Sequence, residues 1–251
     1  MMIDVRNVKK SFGALRVLDG VDFSIEKGQA VSIIGVSGGG KSILLKHLIG
    51  LLAPDAGEIH IDGQKITGMD ERQLLRVRRK FGMLFQGSAL FDSLNVENNI
   101  GFLLRREGRT PAAEITRRVA EVLELVGLEG TQKKMPAELS GGMRKRVGLA
   151  RAVVYRPEIV LYDEPTTGLD PIAADSIDQL ISRVVETFHV TSIAVTHDMR
   201  SARRISRRIL MLDKGRIYAD QTPEEIFKST DPVIHRFVNG IAEPIGKPTF
   251  V

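Results

Sequence analysis

The sequence predicts an α/β fold in which a mostly parallel core sheet is flanked by helices, with an antiparallel β-subdomain and a helical subdomain attached. Three short apolar runs, at 30–34, 159–162 and 192–196, each end in a glycine-rich or polar turn and are followed by a helical pattern. This order is typical of parallel βαβ units. Because ligands of such sheets lie beyond the carboxyl ends of the strands, we expect the three following segments to meet at one edge.

The antiparallel part is predicted from the N-terminal residues. Residues 2–8 and 21–25 have strand character, and apolar and polar residues alternate over 58–61 before the pair Asp62-Gly63. An Asp-Gly pair after an alternating run is a strong hairpin signal. The sequence therefore predicts two N-terminal strands and a hairpin outside the core.

The helical subdomain is predicted between the first two core strands. Thr110 is the expected N-cap of a helix with Pro111 at its first position, and a second helix is expected after Gly142. Their apolar stripes are Ile115, Val119, Val122 and Val126, and Met143, Val147, Ala150 and Val154. From about Asp231 the periodicity is lost and prolines gather, which predicts an irregular tail.

The amino-acid composition limits the kinds of ligand and site that this chain can have. Lys and Arg total 36 against 31 Asp and Glu, and the net charge of +5 suits a phosphate-bearing ligand or an anionic surface without requiring nucleic acid. The absence of cysteine excludes disulfides, thiolate metal sites and a cysteine nucleophile. Since neither a signal-peptide block nor a run of 18 apolar residues occurs, we expect a cytoplasmic protein.

Residues 35–42 carry the strongest chemical signal. Gly35 and Gly40 stand five residues apart and are followed by Lys41 and Ser42, the pattern of a phosphate-binding loop. Such a loop points backbone N–H groups at phosphate oxygens, its lysine reaches the terminal phosphates, and its serine can hold Mg²⁺. We therefore predict nucleotide binding here. The candidate residues are Gly35, Ser37, Gly38, Gly39, Gly40, Lys41, Ser42 and Ile43.

Two acidic residues close the second core strand. Asp163 can bind Mg²⁺ at this strand end, and Glu164 can orient or deprotonate an attacking water. An Asp-Glu-Pro sequence by itself is more often a simple turn, but next to a phosphate loop it supplies the second half of a hydrolytic site. His197 follows the third core strand, where we expect its ring to contact a γ-phosphate.

A second anion-binding surface is predicted where Ser140, Gly141 and Gly142 precede a long helix. Taken in order, six motifs resemble the ATP-binding cassette (ABC) ATPases over nearly the whole chain: the phosphate loop, Gln86, 140–142, Tyr-Asp-Glu-Pro at 162–165, Gly-Leu-Asp at 168–170, and His197. The resemblance implies a P-loop NTPase fold of the ABC ATPase type, and ATP hydrolysis with Mg²⁺.

The resemblance also implies a role for each motif residue. Phe12 matches the aromatic residue that stacks on adenine, and Gln86 matches the residue that touches Mg²⁺ and the attacking water. The implied catalytic residues are Glu164 as base, His197, Gln86 and Lys41, and the implied Mg²⁺ ligands are Ser42, Gln86 and Asp163.

A head-to-tail homodimer follows from the same resemblance. Ser140, Gly141 and Gly142 match the signature that completes ATP binding from the opposite chain, and Asp170 matches a loop that crosses between protomers. One phosphate loop and one signature occur in each chain, so two copies would close two ATP sites.

The same resemblance divides the chain into parts of a single nucleotide-binding domain, 1–251. Residues 1–86 and 157–230 are expected to form the ATP-binding core with its β-subdomain, 87–156 the helical subdomain with the signature, and 231–251 a C-terminal tail. We also expect 243–251 to pack across the dimer.

Two departures from the general ABC pattern indicate a particular branch of the family. Met143 replaces the usual Gln after the glycines, and Ile43 replaces a frequent Thr. Residues 140–146, with 85–91, 162–171 and 237–240, resemble the ATPases of lipid transporters of the maintenance-of-lipid-asymmetry (Mla) and mammalian-cell-entry (Mce) type.

This narrower resemblance implies phospholipid transport between two membranes. It implies a peripheral protein on the cytoplasmic face of the inner membrane, below an integral permease of the MlaE type. A periplasmic Mce-domain lipid-binding subunit and a STAS-domain regulator are the further implied partners, and no nucleic acid is expected. Leu90, Phe91 and Leu94 are expected to form a groove for a permease helix.

Other functions stay open at this point. The ATPase of an importer for polar amino acids or another small solute shares every catalytic motif. Cassette proteins that act on ribosomes or DNA usually have two cassettes or long coiled-coil insertions, and this chain has one cassette and no heptads. A non-catalytic nucleotide sensor is disfavoured by the intact residues Lys41, Asp163, Glu164 and His197.

Overall fold

A computed structural model describes residues 1–242; the tail at 243–251, which we expected to cross the dimer, lies outside the described residues. The strands are β1 (Ile3–Phe12), β2 (Leu15–Ile25), β3 (Ala30–Ile34), β4 (Ala56–Ile61), β5 (Gln64–Lys65), β6 (Phe81–Leu84), β7 (Ile159–Asp163), β8 (Thr191–Val195), β9 (Arg208–Asp213) and β10 (Arg216–Gln221). The helices are α1 (Lys41–Leu48), α2 (Glu71–Arg78), α3 (Val96–Glu107), α4 (Ala112–Leu125), α5 (Gly141–Val153), α6 (Pro171–Phe188), α7 (Met199–Ile205), α8 (Pro223–Lys228) and α9 (Pro232–Val238). None of these helices is long and apolar enough to span a membrane.

The larger sheet positions the loops of the site. Its strand order is β10-β9-β3-β8-β7-β6, in which all neighbours are parallel except the edge pair β10 and β9. The three predicted core runs are β3, β7 and β8, and their apolar residues are buried. Because parallel strands run in one direction, the segments that follow β3, β6, β7 and β8 leave the sheet at the same edge. The predicted, mostly parallel core sheet is confirmed.

The smaller sheet is antiparallel, in the order β2-β1-β4-β5. The predicted hairpin joins β4 to β5 through Asp62 and Gly63, whose φ values of 51° and 75° suit a tight two-residue turn. β1 and β2 extend beyond the predicted 2–8 and 21–25, because backbone pairing continues through the polar pair Lys9 and Asp19. A prediction based on the alternation of apolar residues does not detect strand pairing between polar residues.

The helical layer is built from α3, α4 and α5. The predicted apolar stripes of α4 and α5 are buried together in one hydrophobic core, apart from Met143, which is partly buried against it. α4 begins one residue later than predicted: Pro111, with ψ of 145°, is the N-cap, and Thr110 lies outside the helix. The predicted N-cap is therefore wrong by one position.

The expected loss of regular structure from about Asp231 is wrong for 232–238. Asp231 Oδ1 accepts hydrogen bonds from the N–H groups of Val233 (2.9 Å) and Ile234 (3.1 Å), and Pro232 opens the helix α9. Ile234 is buried in a core with Met211 of β9. A helix this short needs such tertiary contacts, which local periodicity does not reveal.

Candidate active site

The phosphate loop joins β3 to α1 at the carboxyl edge of the larger sheet. Gly38 and Gly40 have φ values of 75° and 94°, in the left-handed region that favours glycine. A Cβ on Gly39 would lie 2.9 Å from the carbonyl oxygen of Val36, and one on Gly40 would lie 2.9 Å from Val17 Cγ1. The backbone shape therefore requires the glycines, and it leads directly into the N-terminus of α1, which attracts anions.

Lys41 is buried within this loop. Its Nζ donates hydrogen bonds to the carbonyl oxygens of Gly35 (2.8 Å) and Val36 (2.9 Å). Burial lowers the pKa of its ammonium, and the charges of Glu164 and Asp163 oppose that shift. A terminal phosphate would offer this ammonium a stronger, charged acceptor than two carbonyls.

Ser42 and Asp163 form the part of the site that fits Mg²⁺. Ser42 Oγ donates to Asp163 Oδ1 at 2.8 Å, which joins the start of α1 to the end of β7. Hydroxyl and carboxylate oxygens suit Mg²⁺, which needs few protein ligands because it also takes phosphate oxygens and water. Over residues 1–242, no cluster of three or more His, Cys, Asp or Glu side chains that could hold a metal is found. The Ser42 hydroxyl and the Asp163 carboxylate are oxygen ligands of the kind that Mg²⁺ takes when it is bound together with a nucleotide.

Glu164 and His197 are in direct contact. Glu164 follows Asp163 with φ of 49°, an unusual value for a residue other than glycine. Its Oε2 lies 2.8 Å from Nδ1 of His197 and accepts a hydrogen bond from Thr167 Oγ1 at 3.1 Å. The fold therefore brings the candidate base next to the residue that we expect at the γ-phosphate.

One cavity of about 230 Å³ gathers residues from four predicted motifs. It is lined by Ser37, Gly38, Gly40, Lys41, Ser42, Ile43, Gln86, Glu164 and His197. Whole small-molecule sites measure about 300–1,000 Å³, so this cavity suits the phosphate chain rather than a complete nucleotide. Gln86 reaches the cavity because it follows β6 at the same edge of the sheet.

The signature residues lie elsewhere in the chain. Ser140 caps α5, where its Oγ accepts from the N–H of Met143 at 3.3 Å, and Asp170 caps α6, where its Oδ1 accepts from the N–H groups of Ile172 and Ala173 at 3.0 Å. With Gly141 and Gly142 they line a second cavity of about 610 Å³. Among the described residues none lines both cavities. The fold does not bring the signature to the phosphate loop of its own chain.

Phe12 lies outside the phosphate cavity, at the end of β1. Its ring is exposed, and Lys10 Nζ lies 5.6 Å from the ring centroid. An exposed aromatic ring can take a base on its face, so the position is compatible with the expected adenine contact. That role stays a prediction.

Two buried polar groups near the site have no counterpart in the sequence analysis. Lys145 of α5 donates from Nζ to the carbonyl oxygens of Gln86 and of Glu164. Asp178 of α6 accepts from Ser201 Oγ at 2.8 Å, and burial raises the pKa of its carboxyl to about 6. Lys145 stands in a run of basic residues with nothing to distinguish it. Asp178 could have been found from the sequence, because a carboxylate next to the apolar residues of an amphipathic helix indicates a buried charge.

Known proteins share this architecture. A family model described as ABC transporter matches residues 18–167. The chain is 41% identical to the protein TRIGALACTOSYLDIACYLGLYCEROL 3, chloroplastic, of Arabidopsis thaliana, over 96% of this chain and 74% of that one. It is 39% identical to the methionine import ATP-binding protein MetN of Carboxydothermus hydrogenoformans, over 96% and 72%. It is 37% identical to the intermembrane phospholipid transport system ATP-binding protein MlaF of Escherichia coli, over 96% and 90%.

A solved structure extends the similarity to three dimensions. The dimeric, post-hydrolysis state of the ATP-binding cassette MJ0796 bound to ADP and Pi has a TM-score of 0.81 at 34% identity, over 88% of this chain and 99% of that one. The family model covers more than half of the chain, and the three relatives match along nearly its whole length. The chain belongs to the ABC transporter family, as an ATP-binding subunit that hydrolyses ATP and resembles MlaF.

Proposed function

We propose that this ATPase powers the transport of phospholipid between the inner and outer membranes and so maintains the lipid asymmetry of the outer membrane. The observation that carries the proposal is the similarity to MlaF, an intermembrane phospholipid transport ATPase by name, along 96% of this chain and 90% of that protein. The Arabidopsis relative is also named for a lipid. The similarity to MetN, a methionine import protein by name, favours a second candidate, an importer for polar amino acids or for another small solute such as methionine.

An apolar groove next to Gln86 supports a permease partner. The groove has a volume of about 510 Å³, and its apolar lining residues include Leu51, Met83, Phe85, Phe91, Phe102 and Leu103. Phe91 is 44% exposed, and its ring centroid lies 4.6 Å from that of Phe102. Of the three residues expected here only Phe91 lines the groove; Leu90 packs against the helical core instead, and Leu94 is half-buried outside the lining.

We infer that a cytoplasmic helix of an MlaE-type permease occupies this groove. The groove contains Phe85, the residue before Gln86, so a helix seated there would act directly on the loop that carries Gln86. In this arrangement the chain lies on the cytoplasmic face of the inner membrane. The resemblance to MlaF further suggests a periplasmic Mce-domain lipid-binding subunit and a STAS-domain regulator.

The proposed catalytic unit is a head-to-tail homodimer with two ATP molecules. Support comes from the dimeric MJ0796 cassette and from the separation of the two cavities within one chain. In the proposed dimer the phosphate loop of one copy faces Ser140, Gly141 and Gly142 of the other. Phe12 contacts the adenine, and Asp170 lies at the seam between the copies.

Hydrolysis in the proposed site uses the residues of the 230 Å³ cavity. Lys41 binds the terminal phosphates, and Ser42, Asp163 and Gln86 would hold Mg²⁺, which when bound offsets phosphate charge. Glu164 accepts a proton as water attacks the γ-phosphorus and the bond to the ADP oxygen breaks. His197 contacts Glu164 through Nδ1, and its other ring nitrogen, Nε2, contacts the γ-phosphate in the proposed complex. Loss of the γ-phosphate contacts then reopens the dimer.

The experiment that separates the two candidates is isolation of the native complex through a tagged copy of this chain. Mass spectrometry of the bound small molecules, and ATPase assays with added phospholipid or methionine, identify the cargo. We expect phospholipid to co-purify and to stimulate ATP turnover. Stimulation by an amino acid, with a soluble solute-binding protein in the complex, would contradict phospholipid transport.

A matched pair of variants tests the groove in the same preparation. Phe91→Ser is expected to reduce recovery of the permease, because it removes an apolar contact surface. Leu75→Ser is the control, since Leu75 is exposed on α2 and lies outside the groove. Equal recovery of the permease with both variants would place the contact elsewhere.

A further inference from the structure

One face of α5 lies against the loop that follows β6. This face carries Lys145, Gly148 and Arg151, which are spaced three residues apart along the helix. A Cβ on Gly148 would lie 2.9 Å from Leu84 Cδ1 and 3.4 Å from Ser88 Cβ. The helix that begins at the signature thus packs directly against β6 and the loop that follows it.

Two cations on this face hold carbonyl groups of the loop. Arg151 donates to the carbonyl oxygens of Ser88 and Ala89, at 2.7 Å each. Both residues have positive φ, 61° and 47°, a conformation that is unfavourable for side chains with a Cβ. Lys145 donates to the carbonyl oxygen of Gln86. The loop conformation therefore depends on hydrogen bonds from α5.

Lys145 also reaches the turn that carries the candidate base. Its Nζ donates to the carbonyl oxygen of Glu164 at 3.2 Å, while the N–H of Glu164 donates to the carbonyl of Val195 at 2.9 Å. Glu164, with φ of 49°, is thus held from both sides in an unfavourable conformation. Lys145 is only 5% exposed, and no carboxylate of the described chain forms an ion pair with it.

A buried ammonium held by carbonyls alone is costly for a fold. Burial lowers the pKa of Lys145, and the more distant charges of Asp163 and Glu164 oppose the shift. An apolar side chain of similar length would fill the same space without burying a charge, but it would remove the donor to the Gln86 carbonyl. The cation is therefore better explained by the two backbone segments that it connects than by packing.

We propose that Lys145 is a positioning residue for ATP hydrolysis, whose ammonium ties the Gln86 carbonyl to the Glu164 carbonyl and so sets the two candidate catalytic side chains relative to each other. The inference rests on the hydrolytic site of the proposed function. It also connects that site to both proposed partners, because the signature residue Ser140 caps the N-terminus of α5 and Arg151 of α5 lines the apolar groove. A shift of α5 therefore moves Gln86 and Glu164 together.

The test compares Lys145→Met, Lys145→Arg and a control in the full chain, purified with its native membrane partners. Lys133→Met is the control, because Lys133 is exposed in the same predicted subdomain and, within residues 1–242, pairs with Glu97 alone. Steady-state kinetics give kcat and the KM for ATP, a Mg²⁺ titration gives the half-saturating concentration, and a fluorescent ATP analogue reports binding.

We expect Lys145→Met to lower kcat by roughly tenfold or more while the KM for ATP and analogue binding change less than about twofold, since the phosphate loop is untouched. The half-saturating Mg²⁺ concentration is expected to rise, because Gln86 loses its anchor. Lys145→Arg should restore much of the turnover, and Lys133→Met should match the wild type.

A kcat for Lys145→Met within about twofold of wild type would overturn the inference. So would parallel loss of ATP binding, turnover and melting temperature, which indicates a structural role only. If Lys145→Met does not fold, Lys145→Gln, which keeps an uncharged NH₂ donor group, is measured against the same criteria. Wild-type protein and Glu164→Gln are measured in the same assays. An inactive wild type, or a Glu164→Gln protein that hydrolyses ATP, would contradict the proposed hydrolytic site itself. If the wild type is active and Glu164→Gln is not, an unchanged Lys145→Met protein contradicts only the role of Lys145.

Discussion

Replacing Asp178 by asparagine should stabilise the protein at neutral and alkaline pH. Asp178 is 4% exposed, and its Oδ2 accepts from Ser201 Oγ, which also lies 3.3 Å from Thr166 Oγ1. Within residues 1–242, Oδ1 has no hydrogen-bond partner. Burial raises the pKa of the carboxyl to about 6, the hydrogen bond from Ser201 opposes the shift, and the charges of Asp198, Arg204 and Asp175 contribute less.

The raised pKa sets the size of the effect. A folded pKa of about 6 lies roughly two units above the ordinary value, and one unit corresponds to about 1.36 kcal/mol, so the buried charge costs at most about 3 kcal/mol. Partial screening by solvent lowers the expected cost to about 1.5–3 kcal/mol. Because the folded state binds this proton more tightly than the unfolded chain, the cost is complete above pH 6, falls as the pH drops, and is nearly absent at pH 4.

Urea unfolding of the wild type and Asp178→Asn at pH 4, 5, 6, 7 and 8 measures this difference. We expect Asp178→Asn to be more stable by about 1.5–3 kcal/mol at pH 8, by about half as much at pH 5, and by little at pH 4. Glu186→Gln is the control, since Glu186 is an exposed carboxylate on the same helix and its charge does not contribute to the shift at Asp178. A difference that does not vary with pH, or a less stable Asp178→Asn protein at pH 8, would refute the reasoning.

Three further perturbations have defined outcomes. Glu164→Gln should lower ATP turnover by roughly a hundredfold or more while an ATP-dependent dimer persists in light scattering, and unchanged turnover would remove Glu164 from the mechanism. Gly82→Ala should destabilise the protein by about 3 kcal/mol in urea, because its Cβ would lie 2.1 Å from the carbonyl oxygen of Ala152, whereas Gly87→Ala, with open space around it, should not. Phe12→Ala should raise the KM for ATP roughly tenfold at constant kcat, as loss of base stacking predicts, and an unchanged KM would contradict the adenine contact.

The sequence predicted the core of the fold more accurately than its edges. β3 has the predicted bounds because all five of its residues, four of them apolar, are buried, and its direction places the phosphate loop beside Gln86, Glu164 and His197. The confirmed fold class therefore accounts for the assembly of the site, although the roles of its residues stay predictions.

The features that the sequence did not reveal depend on contacts between distant segments. α9 is stabilised by packing on β9, and its own seven residues show too little periodicity to predict it. Lys145 differs from its basic neighbours only because its face of α5 meets the loop after β6. Asp231 and Pro232 are a local start signal for α9, but the packing that stabilises this helix and the contacts of Lys145 depend on distant segments.

The central claim is that this chain binds and hydrolyses ATP at the loop that contains Lys41. The most direct measurement is ATP binding and turnover by the purified chain with its membrane partners, compared with Lys41→Ala in the same complex. We expect the wild type to bind two ATP molecules per dimer and to hydrolyse them, and Lys41→Ala to lose both binding and turnover. Wild-type protein that binds no ATP, or Lys41→Ala protein that hydrolyses ATP at the wild-type rate, would contradict the account.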